Sequence, residues 1–365
     1  MRRTLAALCI FATPAFAQEP PNVVVDIAPI RSLVAQIMEG VGTPSQIIPT
    51  GASPHGYAMR PSEARALSNA DLVVWVGPAL TYWLEEPLET LAPDAEHLTL
   101  MALGGSKELP MREAEILEAS HEDDHADHDH DKEHKEEGHD DHAGHDHDQE
   151  HKDEGHDDHA GHDDHAGHGH EQEHKDEGHD DHAGHEDHAG HGHAHHGTID
   201  PHSWLSPSNA VLWAGVISQK LGEIDPANVQ TYAANWENLN AEVRTLEADL
   251  NAMLTPYRDT PFLVLHDAFS YFEETFGVEA EAFVIAGDGA TPGPARVQAL
   301  REHLADNPVT CAFTAPQENE SLLRTATEGQ DVRVAVLDPL GDGETSYATF
   351  MRTFATAMVD CFEGR

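Results

Sequence analysis

The 365-residue sequence predicts an α/β protein of two lobes, each a mostly parallel sheet flanked by helices, joined by one long spine helix and carrying a disordered loop rich in His and Asp. Three observations carry that expectation. Short apolar runs alternate with helical stretches, one unbroken helical pattern covers Pro226 to Tyr257, and the 76 residues from His121 to His196 contain nothing from which a core could be built.

The apolar runs are Asn22 to Ile27, Leu72 to Gly77, Leu263 to His266, Thr310 to Thr314 and Val332 to Asp338. Fully apolar runs of this length fit central strands of a parallel sheet, which is covered on both faces. Between them the pattern predicts helices over Ile30 to Met38, Ser62 to Ala70, Leu80 to Leu91, Asn209 to Leu221, Pro294 to Ala305, Ser321 to Glu328 and Ser346 to Cys361. Strands alternating with helices give the α/β class. Along Pro226 to Tyr257 the apolar residues Tyr232, Trp236, Leu239, Val243, Leu246, Leu250 and Leu254 recur in steps of three and four. Such a helix is about 40 Å long, more than one small lobe can cover, so it is read as the spine.

The first residues have the layout of a secretory signal: Arg2-Arg3, an apolar run from Leu5 to Phe11, and Ala15-Phe16-Ala17, with cleavage expected after Ala17. The run is short of the roughly 20 residues a spanning helix needs. With the leader and the tract set aside, 272 residues remain, enough for two cores. The expected organisation is a signal at 1–17, an N-terminal lobe at 18–225 that includes the disordered loop at about 106–197, a linking helix at 226–257 and a C-terminal lobe at 258–365. Only Cys311 and Cys361 remain in the mature chain, and an even count in an oxidising compartment reads as one disulfide, with two buried thiols as the alternative.

Twenty Lys and Arg stand against 67 Asp and Glu, a formal charge of −47. The tract contributes 28 acids, 4 lysines and 25 of the 30 histidines. This acidity excludes nucleic acid or an anionic bilayer as partner, because both recruit Lys and Arg, and leaves metal cations. Within the tract the phrase from Glu133 returns with one change at Glu150 and Glu173, at unequal spacing. Imidazole suits zinc, copper and nickel, so the tract reads as a metal sponge, weaker than a preformed site because each site it closes costs ordering entropy.

Three other histidines sit at the ends of elements, where doubly wound folds place ligands. His55 lies in the turn Gly51-Ala-Ser-Pro-His-Gly-Tyr57, His202 in Asp200-Pro-His-Ser-Trp-Leu-Ser-Pro207, and His266 ends Phe262-Leu-Val-Leu-His266. Taken singly, each also reads as a loop or core histidine. His97 and His303 are expected at the surface without a role. Three histidines and a water could also form a hydrolytic site, but no His-Glu-x-x-His helix occurs, and Glu273-Glu274 is expected to face solvent, so no enzyme is expected.

These motifs, with Arg60-Pro-Ser62, Asn69 to Gly77 and Leu337-Asp-Pro-Leu-Gly341, resemble the zinc-specific members of the metal-binding receptors of ABC transporters, the ZnuA type. The resemblance covers the mature chain outside the tract. It implies two α/β lobes joined by a rigid helix with Zn2+ held between them, and His55, His202 and His266 as its ligands. Manganese relatives carry a carboxylate where His266 stands, which suits the harder ion. Asp338 matches a metal-binding aspartate of those relatives and is a candidate fourth ligand or a hydrogen-bonding neighbour of one. Some zinc members carry Glu before the first histidine; this chain has Pro54, which leaves water or Asp338. Cys311 and Cys361 match a disulfide of the second lobe. The implied function is a periplasmic receptor that delivers Zn2+ to an inner-membrane ABC permease with a cytoplasmic ATPase. Other periplasmic zinc chaperones are further candidate partners, and a monomer is expected. The alternative is a periplasmic zinc buffer or metallochaperone acting through the His-rich loop.

Overall fold

The structure, a computed structural model, describes residues 19–112, 199–287 and 292–365. The expected signal segment and the His-rich tract lie outside them. Two four-stranded sheets, wholly parallel, form the two halves of the fold.

In the first, β1 (Val23–Val25) pairs with β2 (Ser45–Gln46) across α1 (Ala28–Ile37) and with β3 (Leu72–Trp75), which pairs with β4 (Glu96–Thr99); the order is β2-β1-β3-β4. α2 (Pro61–Ser68), α3 (Pro78–Thr81) and α4 (Glu85–Leu91) complete the crossovers. The helix expected over Leu80 to Leu91 is broken by a 3-10 turn at Tyr82–Leu84. Every residue of β1 and β3 is buried, as apolar strands between two helical layers must be.

α5 (Pro207–Ile224) leads to α6 (Val229–Leu254), the long helix. It buries Tyr232, Leu239, Val243, Leu246, Leu250 and Leu254, packing on α1 and α5 with one part of this stripe. The second half then repeats the order of the first as β6-β5-β7-β8. Its elements are β5 (Phe262–His266), α7 (Ser270–Phe276), β6 (Ala282–Ile285), α8 (Pro294–Asp306), β7 (Cys311–Thr314), α9 (Ser321–Ala326), β8 (Arg333–Val336) and α10 (Tyr347–Glu363). α10 and α7 also pack on α6, so one helix serves both sheets.

The structure differs from expectation in four further places. α6 ends at Leu254 and gives way to a 3-10 turn, Thr255–Tyr257, because Pro256 lacks the N–H an α-helix needs there. β8 lies at the edge of its sheet, with Arg333 and Val336 exposed, and is not central. β2, β4 and β6 were not expected as strands. Of the Glu273-Glu274 pair expected to face solvent from α7, Glu274 does so, but Glu273 is buried because Arg112 reaches it.

A disulfide joins Cys311 of β7 to Cys361 of α10, with Cα atoms 6.1 Å apart. It closes a loop of 50 residues, worth roughly 4 kcal/mol in the chain-entropy model.

A seam of hydrogen bonds joins the two halves where α1 and Trp204 meet residues 339–347. Arg31 of α1 donates to the Gly343 carbonyl and Ser32 to that of Thr345, while Tyr347 N donates to Gln36 Oε1 at 2.9 Å. Trp204 Nε1 donates to the Pro339 carbonyl at 2.7 Å, and the Tyr347 hydroxyl to that of Trp204 at 2.8 Å. Gly343 (φ +71°) presses on Ala28 and Gln46, where an added Cβ would come within 3.1 Å of both.

Candidate metal centre

His55 sits in a 3-10 turn, Pro54–Gly56, that Pro54 starts with its fixed φ. Trp83 Nε1 holds the turn by donating to the Pro54 carbonyl at 2.9 Å, and the Tyr57 ring packs on Trp83. His202 follows Asp200-Pro201, and Asp200 Oδ1 accepts from both its backbone N–H (2.9 Å) and its Nδ1 (2.7 Å). His266 is the last residue of the inner strand β5. Its Nδ1 lies 2.9 Å from Glu318 Oε1, and its Nε2 is 3.4 Å from the Gly287 carbonyl oxygen.

These three turns and strand ends bring the imidazoles together. Ring centroids are 5.4 Å (His55 to His202), 5.3 Å (His55 to His266) and 5.0 Å (His202 to His266) apart. One nitrogen of each lies within 4.8 Å of the others, close enough for a single ion to be ligated by all three. They line a cavity of about 40 Å³ with Ser53, Trp204, Phe313 and Glu318. One water needs about 10–15 Å³ of such space, so the cavity has room for an ion with a water or two.

The electrostatics fit a cation that arrives from outside. His55 Nε2 is buried with no hydrogen-bond partner among the described residues. Burial, then the neighbouring His202 and His266, lower the His55 pKa to about 2, which favours the neutral ring that a metal needs. Burial also opposes charge on His266, but the hydrogen bond and charge of Glu318 outweigh it and raise its pKa. Asp200, despite its burial, is held below the usual carboxylate range by His202. Fixing Nδ1 of a histidine on a carboxylate sets its tautomer and turns Nε2 to a metal.

Asp338 stands apart from this set: its Oδ1 accepts from Gln317 Nε2 (3.1 Å) and Leu340 N (3.0 Å). His97 and His303 are engaged elsewhere, with the Ala92 carbonyl and Glu281. Sequence reasoning assigned no role to three charged residues of this region. Asp200 carries a local signal, a carboxylate two residues before a histidine across a proline. Glu318, in the polar loop Pro316-Gln-Glu-Asn319, carries none, and neither does Arg112. The guanidinium of Arg112 forks onto Asp267, next to His266, and reaches Glu273 Oε2 at 2.7 Å. Nearby, Pro110 bridges Ile199 and Leu109 N donates to the Tyr271 hydroxyl, so both sides of the undescribed segment are tied beside the site.

A sequence model of the family described as zinc-uptake complex component A, periplasmic (ZnuA), matches residues 23–361. The chain belongs to the ZnuA family. The high-affinity zinc uptake system protein ZnuA of Paracoccus denitrificans is 40% identical over 361 residues, covering 98% of this chain and 96% of its own. That of Brucella abortus is 35% identical with the same coverage. A crystal structure of ZnuA covers 94% of this chain and 99% of its own, with a TM-score of 0.66 at 19% identity. A ZnuA deletion mutant with zinc bound gives 0.63 at 18%, over 94% and 98%. At those identities the structures establish the ZnuA fold, and the site rests on this chain's own residues.

Proposed function

We propose that this ZnuA-family chain is a periplasmic receptor that binds Zn2+ between its lobes, 18–225 and 258–365, and delivers it to an ABC permease and its ATPase for zinc uptake. His55, His202 and His266 are the ligands. The observation that carries this is the convergence of three imidazoles from separate elements on one ion-sized cavity, with His55 Nε2 buried and unpartnered. Neutral nitrogen donors favour zinc over magnesium, calcium or manganese. Asp338 braces the loop after β8 through Gln317 and Leu340.

Among the described residues no helix is long and apolar enough to cross a membrane. The buffer reading rests on the tract, outside the described residues, and does not account for the convergence of the three histidines.

The test is a competition titration with a zinc chelator on protein lacking His121 to His196. The parent should bind one zinc tightly, and the His202→Ala, His266→Ala double variant should lose at least about 1000-fold, some 4 kcal/mol. One tight zinc in the double variant would overturn the assignment.

A further inference from the structure

Glu318 lines the histidine cavity and places one carboxylate oxygen, Oε1, 2.9 Å from His266 Nδ1. Its other oxygen, Oε2, is buried and has no hydrogen-bond partner among the described residues. A buried carboxylate oxygen without a donor costs the whole of its lost hydration, so such an atom in a native site marks a missing partner. Among the described residues, the group that can share an ion contains only the three imidazoles and no carboxylate. A tetrahedral zinc bound by three histidines has one position left.

We propose that Glu318 is a positioning residue with two tasks: Oε1 holds the Nδ1–H of His266 so that Nε2 faces the ion, and Oε2 accepts a hydrogen bond from the water that fills the fourth position of the bound zinc. The proposal rests on the zinc reading of the three histidines. It completes the pattern set by Asp200 on His202, since two of the three ligands then have their Nδ1 fixed by a carboxylate. It also answers the charge of the site. Three neutral imidazoles leave both charges of Zn2+ uncompensated, and the Glu318 carboxylate is the anion in the cavity wall. Asp338, which the sequence offers as the alternative to water, has Oδ1 engaged by Gln317 and Leu340. No motif marks Glu318, because its position becomes meaningful only when the loop after β7 folds over the end of β5.

The experiment compares the full chain with Glu318→Gln, Glu318→Ala and His266→Ala. First-zinc affinity is read by chelator competition, the zinc coordination shell by X-ray absorption at one equivalent, and the melting temperature of each metal-free protein serves as control. Glutamine keeps the size and one acceptor for Nδ1–H but replaces the other by an amide that cannot accept from water. Glu318→Gln should bind zinc about 10-fold more weakly and Glu318→Ala up to about 100-fold. The shell should remain three nitrogens and one oxygen, and the metal-free melting temperature of Glu318→Gln should stay at the parent value. Native affinity in Glu318→Gln overturns the proposal, as does a shell that loses its oxygen there, since Glu318 would then be a ligand itself. If His266→Ala keeps the native tight site, the zinc reading fails. If His266→Ala loses that site while Glu318→Gln binds like the parent, only the role of Glu318 fails.

Discussion

Two charge clusters lie side by side in this molecule, one built around His266 and the other around the next residue, Asp267. In the second, two buried carboxylates, Asp267 and Glu273, face one guanidinium, that of Arg112, which also lies over the Phe283 ring. In the first, three imidazoles face one another across a cavity with no cation of the chain among them. The acidic cluster carries its cation in its own sequence, whereas the histidine cluster must obtain one from solution. Donor type decides which is which: carboxylates cannot be buried uncompensated, while neutral imidazoles can wait empty at modest cost.

Breaking the acidic cluster should have the larger effect on stability. Arg112→Ala leaves two buried carboxylates without a partner and should destabilise the fold by about 3–5 kcal/mol in chemical denaturation, while the three proposed zinc ligands stay in place. The pH dependence has a definite sign. Burial raises the Glu273 pKa to about 7 even with Arg112 opposing it. A carboxyl whose folded pKa is raised contributes stability at low pH that is lost as pH rises through the folded value. The loss in Arg112→Ala should therefore shrink toward pH 5 and grow toward pH 8; the reverse trend would mean that the carboxylates are solvated.

The histidine cluster can be loosened without removing a ligand. Asp200→Asn keeps the shape but removes the charge that holds His202 Nδ1–H, and should weaken zinc binding by about 10- to 100-fold, or 1.4–2.8 kcal/mol, by chelator competition. Unchanged affinity would make the Asp200 contact a feature of the turn alone.

The smallest effect sharpens the comparison through protons. Zinc binding must displace the Nε2 proton of charged His266, and Glu318 on Nδ1 favours that charged form, so affinity should begin to fall above the ordinary histidine value of about 6.5 as the solution is acidified. His55, with its pKa near 2, adds nothing to this slope between pH 7 and pH 5. The loss should thus be shallower than three ordinary imidazoles would give. A titration with the full steepness of three protons would show that His55 is not desolvated in solution.

Much of this was legible in the chain because it is local. The β-branched runs Val23 to Val25 and Leu72 to Trp75 announce strands covered on both faces, and the three histidines stand beside turn and strand-end signals. The missing strands have physical reasons of their own. β2 has two residues, and β4, Glu-His-Leu-Thr, has only one apolar residue, as an edge strand can. β6, Ala-Phe-Val-Ile, is a short apolar run readable as a strand. Pro256 was readable too, as the end of the α-helix. Arg112, Glu273 and Glu318 were not, since each depends on a partner brought close only by the fold: Arg112 and Glu273 are 161 residues apart.

The seam where α1 and Trp204 meet the stretch from Pro339 to Tyr347 has a consequence in time as well as in shape. Five hydrogen bonds cross it, and at about 1 kcal/mol each their rupture alone would hold a fully parted molecule to roughly one in several thousand. Spontaneous gaping, which would part His266 from His55 and His202, is thus a rare event. On the proposed function, handing over zinc would then be work done on the receptor by its partner, and reluctance to open would limit loss of zinc on the way.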